Sequence, residues 1–89
     1  MTPELETIKG IAKASLLPDF FGARIDEEGL WSPLRQLLSG VRSPAASSPV
    51  ERMKQIAVRA ATASDFIEEI KGQNLWPAFK ELVIRIQIK

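Results

Sequence analysis

Asp26-Glu27-Glu28 is the one acidic run in the chain, and carboxylate oxygens are what a hard divalent cation would take. The spacing is not that of a calcium-binding loop, and consecutive residues on a helix project in different directions. The run is therefore expected to be a solvated helix end, as is Glu68-Glu69, and no metal site is expected. Covalent chemistry has less to work with. The chain contains no Cys, His or Tyr, which removes thiol chemistry, the commonest general base and the commonest transition-metal ligand. Its serines have no imidazole to activate them, and no particular Ser-Lys pair stands out. The five glycines are scattered and form no phosphate-cradling loop. No catalytic residue and no cofactor are expected, and the chain reads as non-enzymatic.

Charge is segregated. Between residues 35 and 59, Arg35, Arg42, Arg52, Lys54 and Arg59 face Glu51 alone, a net of +4, whereas residues 1–34 carry a net of −3. A basic stripe of this kind could hold nucleic acid, and these five residues form the alternative site. The whole chain, however, has a net charge of only +1, where nucleic-acid modules tend to be strongly basic. Complementary faces that meet a protein partner or a second copy fit that balance better.

These side chains must be positioned by helices. Apolar residues recur at spacings of three and four: Leu5, Ile8, Ile11, Ala12 and Leu16; then Leu34, Leu37, Leu38 and Val41; then Val50, Met53, Ile56, Ala57, Ala60 and Ala61; then Phe66, Ile67 and Ile70; and finally Phe79, Leu82, Val83 and Ile86. Pro18 ends the first stripe, and residues 19–28 make a short second helix broken near Gly29. Ser32-Pro33, Ser48-Pro49 with Glu51, and Ser64 read as helix starts, and Pro77 opens the last helix. Gly10, inside the first stripe, implies close packing against another helix. Residues 42–49 form an exposed connection. The ten residues expected in the core are Ile8, Ile11, Leu37, Leu38, Met53, Ile56, Phe66, Ile70, Leu82 and Val83.

Sliding the chain by 45 positions aligns its halves without a gap, matching Glu6 with Glu51, Lys9 with Lys54, Phe21 with Phe66 and Leu30-Trp31 with Leu75-Trp76. The expectation is an all-α fold. A single domain over residues 1–89 forms a compact bundle of five or six short helices, in two similar halves, 1–44 and 46–89. Trp31 and Trp76 should anchor the core.

The segment Met53–Val83 contains an Ala-rich helix, a short turn, a Phe-x-Glu-Glu-Ile helix (Phe66–Ile70), an Asn and a Pro-started helix. It resembles the C-terminal half of bacterial effector-associated domains, Death-like helical modules attached to proteases, nucleotide-binding ATPases and other conflict-system effectors. That resemblance implies six helices and adaptor binding without catalysis.

The C-terminus points the same way. On a helix from Pro77, Ile84 and Ile88 lie opposite the core stripe, while on a strand Ile84, Ile86 and Ile88 would share a face. Ile84, Arg85 and Ile88 are therefore the candidate partner-binding residues, for another protein or for self-association. No apolar run is long enough to span a membrane. Met1-Thr2-Pro3-Glu4 carries no signal-peptide pattern, so a cytoplasmic location is expected.

Overall fold

A computed structural model of the chain describes residues 3–42 and 47–86. They form α1 (Pro3–Ala14), α2 (Pro18–Glu27), α3 (Trp31–Ser39), α4 (Pro49–Arg59), α5 (Ala63–Gly72) and α6 (Trp76–Arg85), with no strand among the described residues.

Local chemistry sets the helix ends. Leu17 is held extended (φ −108°, ψ 131°), as the residue before a proline must be, and α2 starts at Pro18. Ser48 Oγ accepts from the Glu51 amide at 3.2 Å to cap α4. The cap of α5 is Thr62, whose Oγ1 accepts from the Asp65 amide at 3.1 Å. The sequence pointed to Ser64 instead, which lies inside the first turn. Helices α3 and α6 likewise start before the expected Ser32 and Pro77, at Trp31 and Trp76. The reason is a left-handed residue just upstream of each, Gly29 (φ 69°) and Asn74 (φ 58°), which reverses the chain so that a helix restarts within two residues.

Those two residues are 45 positions apart and use the two side-chain types that tolerate this conformation. Gly29→Asn should therefore be nearly neutral, whereas Gly29→Ala should cost about 1 kcal/mol. Urea denaturation of the two variants measures the difference.

The halves repeat each other element by element. Helices α2 and α5 both begin and end 45 residues apart, α3 and α6 begin 45 apart, and α1 and α4 begin 46 apart. The main contacts come in exchanged pairs: α3 packs on α4 as α6 packs on α1, and α1 meets α2 as α4 meets α5. A two-fold axis through the α2–α5 interface, the most extensive in the molecule, would require this. That central pair runs antiparallel, because the ends are tied crosswise. Asp26 near the end of α2 accepts from the amides of Ala63 (2.8 Å) and Ser64 (3.1 Å) and from Ser64 Oγ (2.7 Å) at the start of α5. Lys71 near the end of α5 pairs with Asp19 at the start of α2 at 2.9 Å. Asp26 brings negative charge to the start of α5, and the Lys71–Asp19 pair sets a cation at the end of α5 and an anion at the start of α2, placements those helix dipoles favour.

Of the expected core, Leu37 and Leu82, each the other's counterpart, are half-buried at the rim; the remaining eight residues are buried. Three phenylalanines fill the centre. Phe79 lies 5.0 Å from Phe66, 5.5 Å from Phe21 and 6.1 Å from Trp76 between ring centroids. Each Trp is half-buried and packs on the Phe of the other half: Trp31 on Phe66 at 5.3 Å, Trp76 on Phe21 at 5.4 Å. Leu16, placed on the first stripe by its spacing, is instead 83% exposed. Helix α1 stops at Ala14, so the helical phase no longer applies to it.

Candidate docking surface

The acidic run is not simply a solvated helix end. Asp26 is the tertiary cap of α5, Glu28 meets Arg24 at 3.5 Å, and Glu27 is exposed. No cluster of acidic side chains among the described residues is arranged to hold a metal ion. No helix among them is long and apolar enough to cross a membrane.

The five cations of the basic segment divide into two groups. Arg35 lies 5.7 Å over the Trp31 ring and donates to the Val58 carbonyl at 3.3 Å, tying α3 to α4. Lys54 donates to the Val41 carbonyl at 2.6 Å, and Arg59 pairs with Glu69 at 2.9 Å. These three hold the halves and helices to one another. Arg42 and Arg52 are exposed.

At the C-terminal end, α6 continues to Arg85 and Ile86 terminates it with an extended backbone (φ −58°, ψ 131°). Ile84 does not stand out on a bare opposite face. It is half-buried against the core, because α6 touches α1, α4 and α5 and so buries more than one stripe. Arg85 pairs with Glu81 at 2.8 Å. Ile88 lies outside the described residues.

Four large apolar residues are exposed among the described residues: Val58 (74%) on α4, and three that lie close in sequence at the other end of the chain. Leu16 (83% exposed), Leu17 (67%) and Phe20 (50%) cluster within five residues where α1 turns into α2. Phe20 also lines a shallow groove between these helices, together with Thr7, Gly10, Ile11, Ala14 and Arg24, of about 260 Å³. A Cβ placed on Gly10 would meet nothing within 4 Å, so the close packing expected there does not occur inside the chain.

The second half gives an internal comparison, because every one of these positions has a counterpart 45 residues on. Leu16, Leu17 and Phe20 correspond to Ala61, Thr62 and Asp65; Thr7, Gly10, Ala14 and Arg24 correspond to Arg52, Gln55, Arg59 and Glu69. Apart from Ala61 these counterparts are polar, and the Arg59–Glu69 ion pair spans α4 and α5; the exposed Val58 stands on α4 where the first half has Lys13. In the first half the position of Arg59 is Ala14, so nothing closes the groove and Arg24 turns along its own helix to Glu28. The same helical framework therefore forms without the apolar residues. Sequence reasoning missed this surface by placing Leu16 on the apolar stripe of the first helix; the 45-residue alignment held the signal in the mismatch of Leu17 with Thr62 and Phe20 with Asp65.

No family model, curated protein or solved structure matches the chain.

Proposed function

We propose that the chain is a non-enzymatic protein–protein interaction module that docks its partner on the α1–α2 surface formed by Leu16, Leu17 and Phe20. One observation carries the proposal: three large apolar side chains are exposed at positions where the chain's own second half has Ala, Thr and Asp. Packing does not require them, and helix α2 forgoes a side-chain cap by having Leu17 where α5 has Thr62. A surface kept apolar at a cost to the helix it belongs to is what a binding site looks like. The resemblance of residues 53–83 to Death-like effector-associated modules supports the same class of function, adaptor binding without catalysis. The C-terminal residues Ile84, Arg85 and Ile88 remain a secondary contact in this scheme.

The decisive variant gives the first half the residues of the second: Leu16→Ala, Leu17→Thr and Phe20→Asp together. Partner recovery by in-cell cross-linking should be lost, with the helical circular dichroism unchanged. Equal recovery by wild type and variant would sink the proposal. Leu17→Thr alone places a hydroxyl where it can accept from the Phe20 amide. It should raise stability by about 0.5–1 kcal/mol, a few degrees in Tm, measurable by calorimetry.

A further inference from the structure

We infer that the occupant of the α1–α2 groove is an amphipathic helix that presents a carboxylate to Arg24; the inference rests on the docking surface proposed above and names the chemistry of its partner. The first ground is charge. Where α4 and α5 carry the pair Arg59–Glu69, α1 and α2 carry Ala14 and Arg24. The ion pair that spans α4 and α5 thus has no equivalent between α1 and α2. Arg24 has only an i,i+4 contact of 3.5 Å with Glu28, between side chains 41% and 48% exposed. A pair of that kind is worth a fraction of what a bidentate carboxylate offers a guanidinium.

The second ground is shape. Thr7, Gly10 and Ala14 follow one another at spacings of three and four, so they share one face of α1 and leave it low. A helix can approach such a face closely, and the space at the Cβ position of Gly10 is open. The third is backbone hydrogen bonding. The surface is made of two helices whose main-chain groups pair internally, and it offers no strand edge. An extended peptide would find nothing to match its amides, whereas a helix satisfies its own. Apolar residues of the incoming helix would cover Phe20, Leu16 and Leu17, and its acid would face Arg24 from the side of Ala14, giving a pair like Arg59–Glu69 with the charges reversed.

The test is a displayed library of helix-forming peptides of about 14 residues, some 21 Å long, with randomised surface positions. It is selected on the intact chain and counter-selected on the Leu16→Ala/Leu17→Thr/Phe20→Asp variant. Enriched peptides should combine an apolar stripe with Asp or Glu beside it, and Arg24→Glu should weaken them about ten-fold. Amide perturbations should centre on Thr7, Gly10, Ala14 and Phe20. Peptides that are apolar without acid enrichment, or that bind the Arg24→Glu variant equally well, overturn the inference and leave the docking surface standing. So does sedimentation showing that the wild type self-associates through Phe20, since the occupant is then a second copy. If no peptide distinguishes the wild type from the triple variant, the docking surface fails as well.

Discussion

Phe79→Ala is expected to lower stability by about 3–5 kcal/mol and to depress Tm by about 15–30 °C. Phe79 is fully buried, and three other aromatic rings lie within 6.1 Å of its centroid. Two of them, Phe21 and Phe66, come from the antiparallel central helices, and the third, Trp76, from its own helix. The ring therefore sits where the two halves meet, and its removal leaves a void that neither half can close alone. A chain of 89 residues has a total stability of about 4–13 kcal/mol, so the loss is a large part of the whole. The counterpart of Phe79 is Leu34, itself fully buried, so the first half shows what a smaller apolar residue does in this place. Phe79→Leu should accordingly cost much less than Phe79→Ala. Chemical denaturation of both variants decides the matter: equal losses would mean that the aromatic contacts, and not the filled volume, set the penalty.

The all-α fold and its six helices were legible in the sequence because apolar spacing reports which face of a helix is covered. The 45-residue alignment was legible for the same reason, and the left-handed pair Gly29 and Asn74 shows how closely the halves follow each other. What could not be read is what depends on two segments meeting. Asp26 looks solvated in one dimension and becomes a cap only because α5 starts beside it. Leu16 continues the α1 spacing on paper, but the extended residue required before Pro18 breaks the phase. Ile84 looked surplus because a single stripe was assumed, while α6 packs against three helices. The exposed apolar surface at the α1–α2 turn was hidden for a related reason: an exposed apolar residue and a core residue have the same letter, and only burial separates them.

The comparison of halves also locates where the chain departs from symmetry. Central core positions are matched in kind, as with Phe21 and Phe66 or Leu38 and Val83, all four of which are buried. Many positions differ between the halves, and two of the departures matter here: the α1–α2 surface and the middle of the α2–α5 interface. The first departure exposes apolar side chains and is the basis of the proposed docking surface. The second has a packing reason, and it yields the remaining prediction.

At the crossing of the central helices Gly22 faces its own counterpart, Ile67. A Cβ at position 22 would lie 2.9 Å from Ser64 Cα, 3.3 Å from the Ala63 carbonyl oxygen and 3.3 Å from Ile67 Cγ1. Near a two-fold axis two large residues would collide and two glycines would leave a gap, so one of each is the arrangement that packs. Gly22→Ala should cost about 1–3 kcal/mol, even though alanine is favoured over glycine in a helix by about 1 kcal/mol. The nearest atoms belong to the backbone of α5, which cannot rotate away as a side chain could. Shortening Ile67 to Ala in the same chain should therefore not restore stability; it adds a cavity penalty of about 2–5 kcal/mol to the backbone clash. Gly10→Ala is the matched control. It is the same substitution in a helix interior, but with nothing within 4 Å of the new Cβ, and it should stabilise by about 0.5–1 kcal/mol. Opposite signs for the two variants in parallel denaturation curves would establish that α2 and α5 are held at backbone contact. Stabilisation by Gly22→Ala would mean that the central helices stand further apart than 2.9 Å allows.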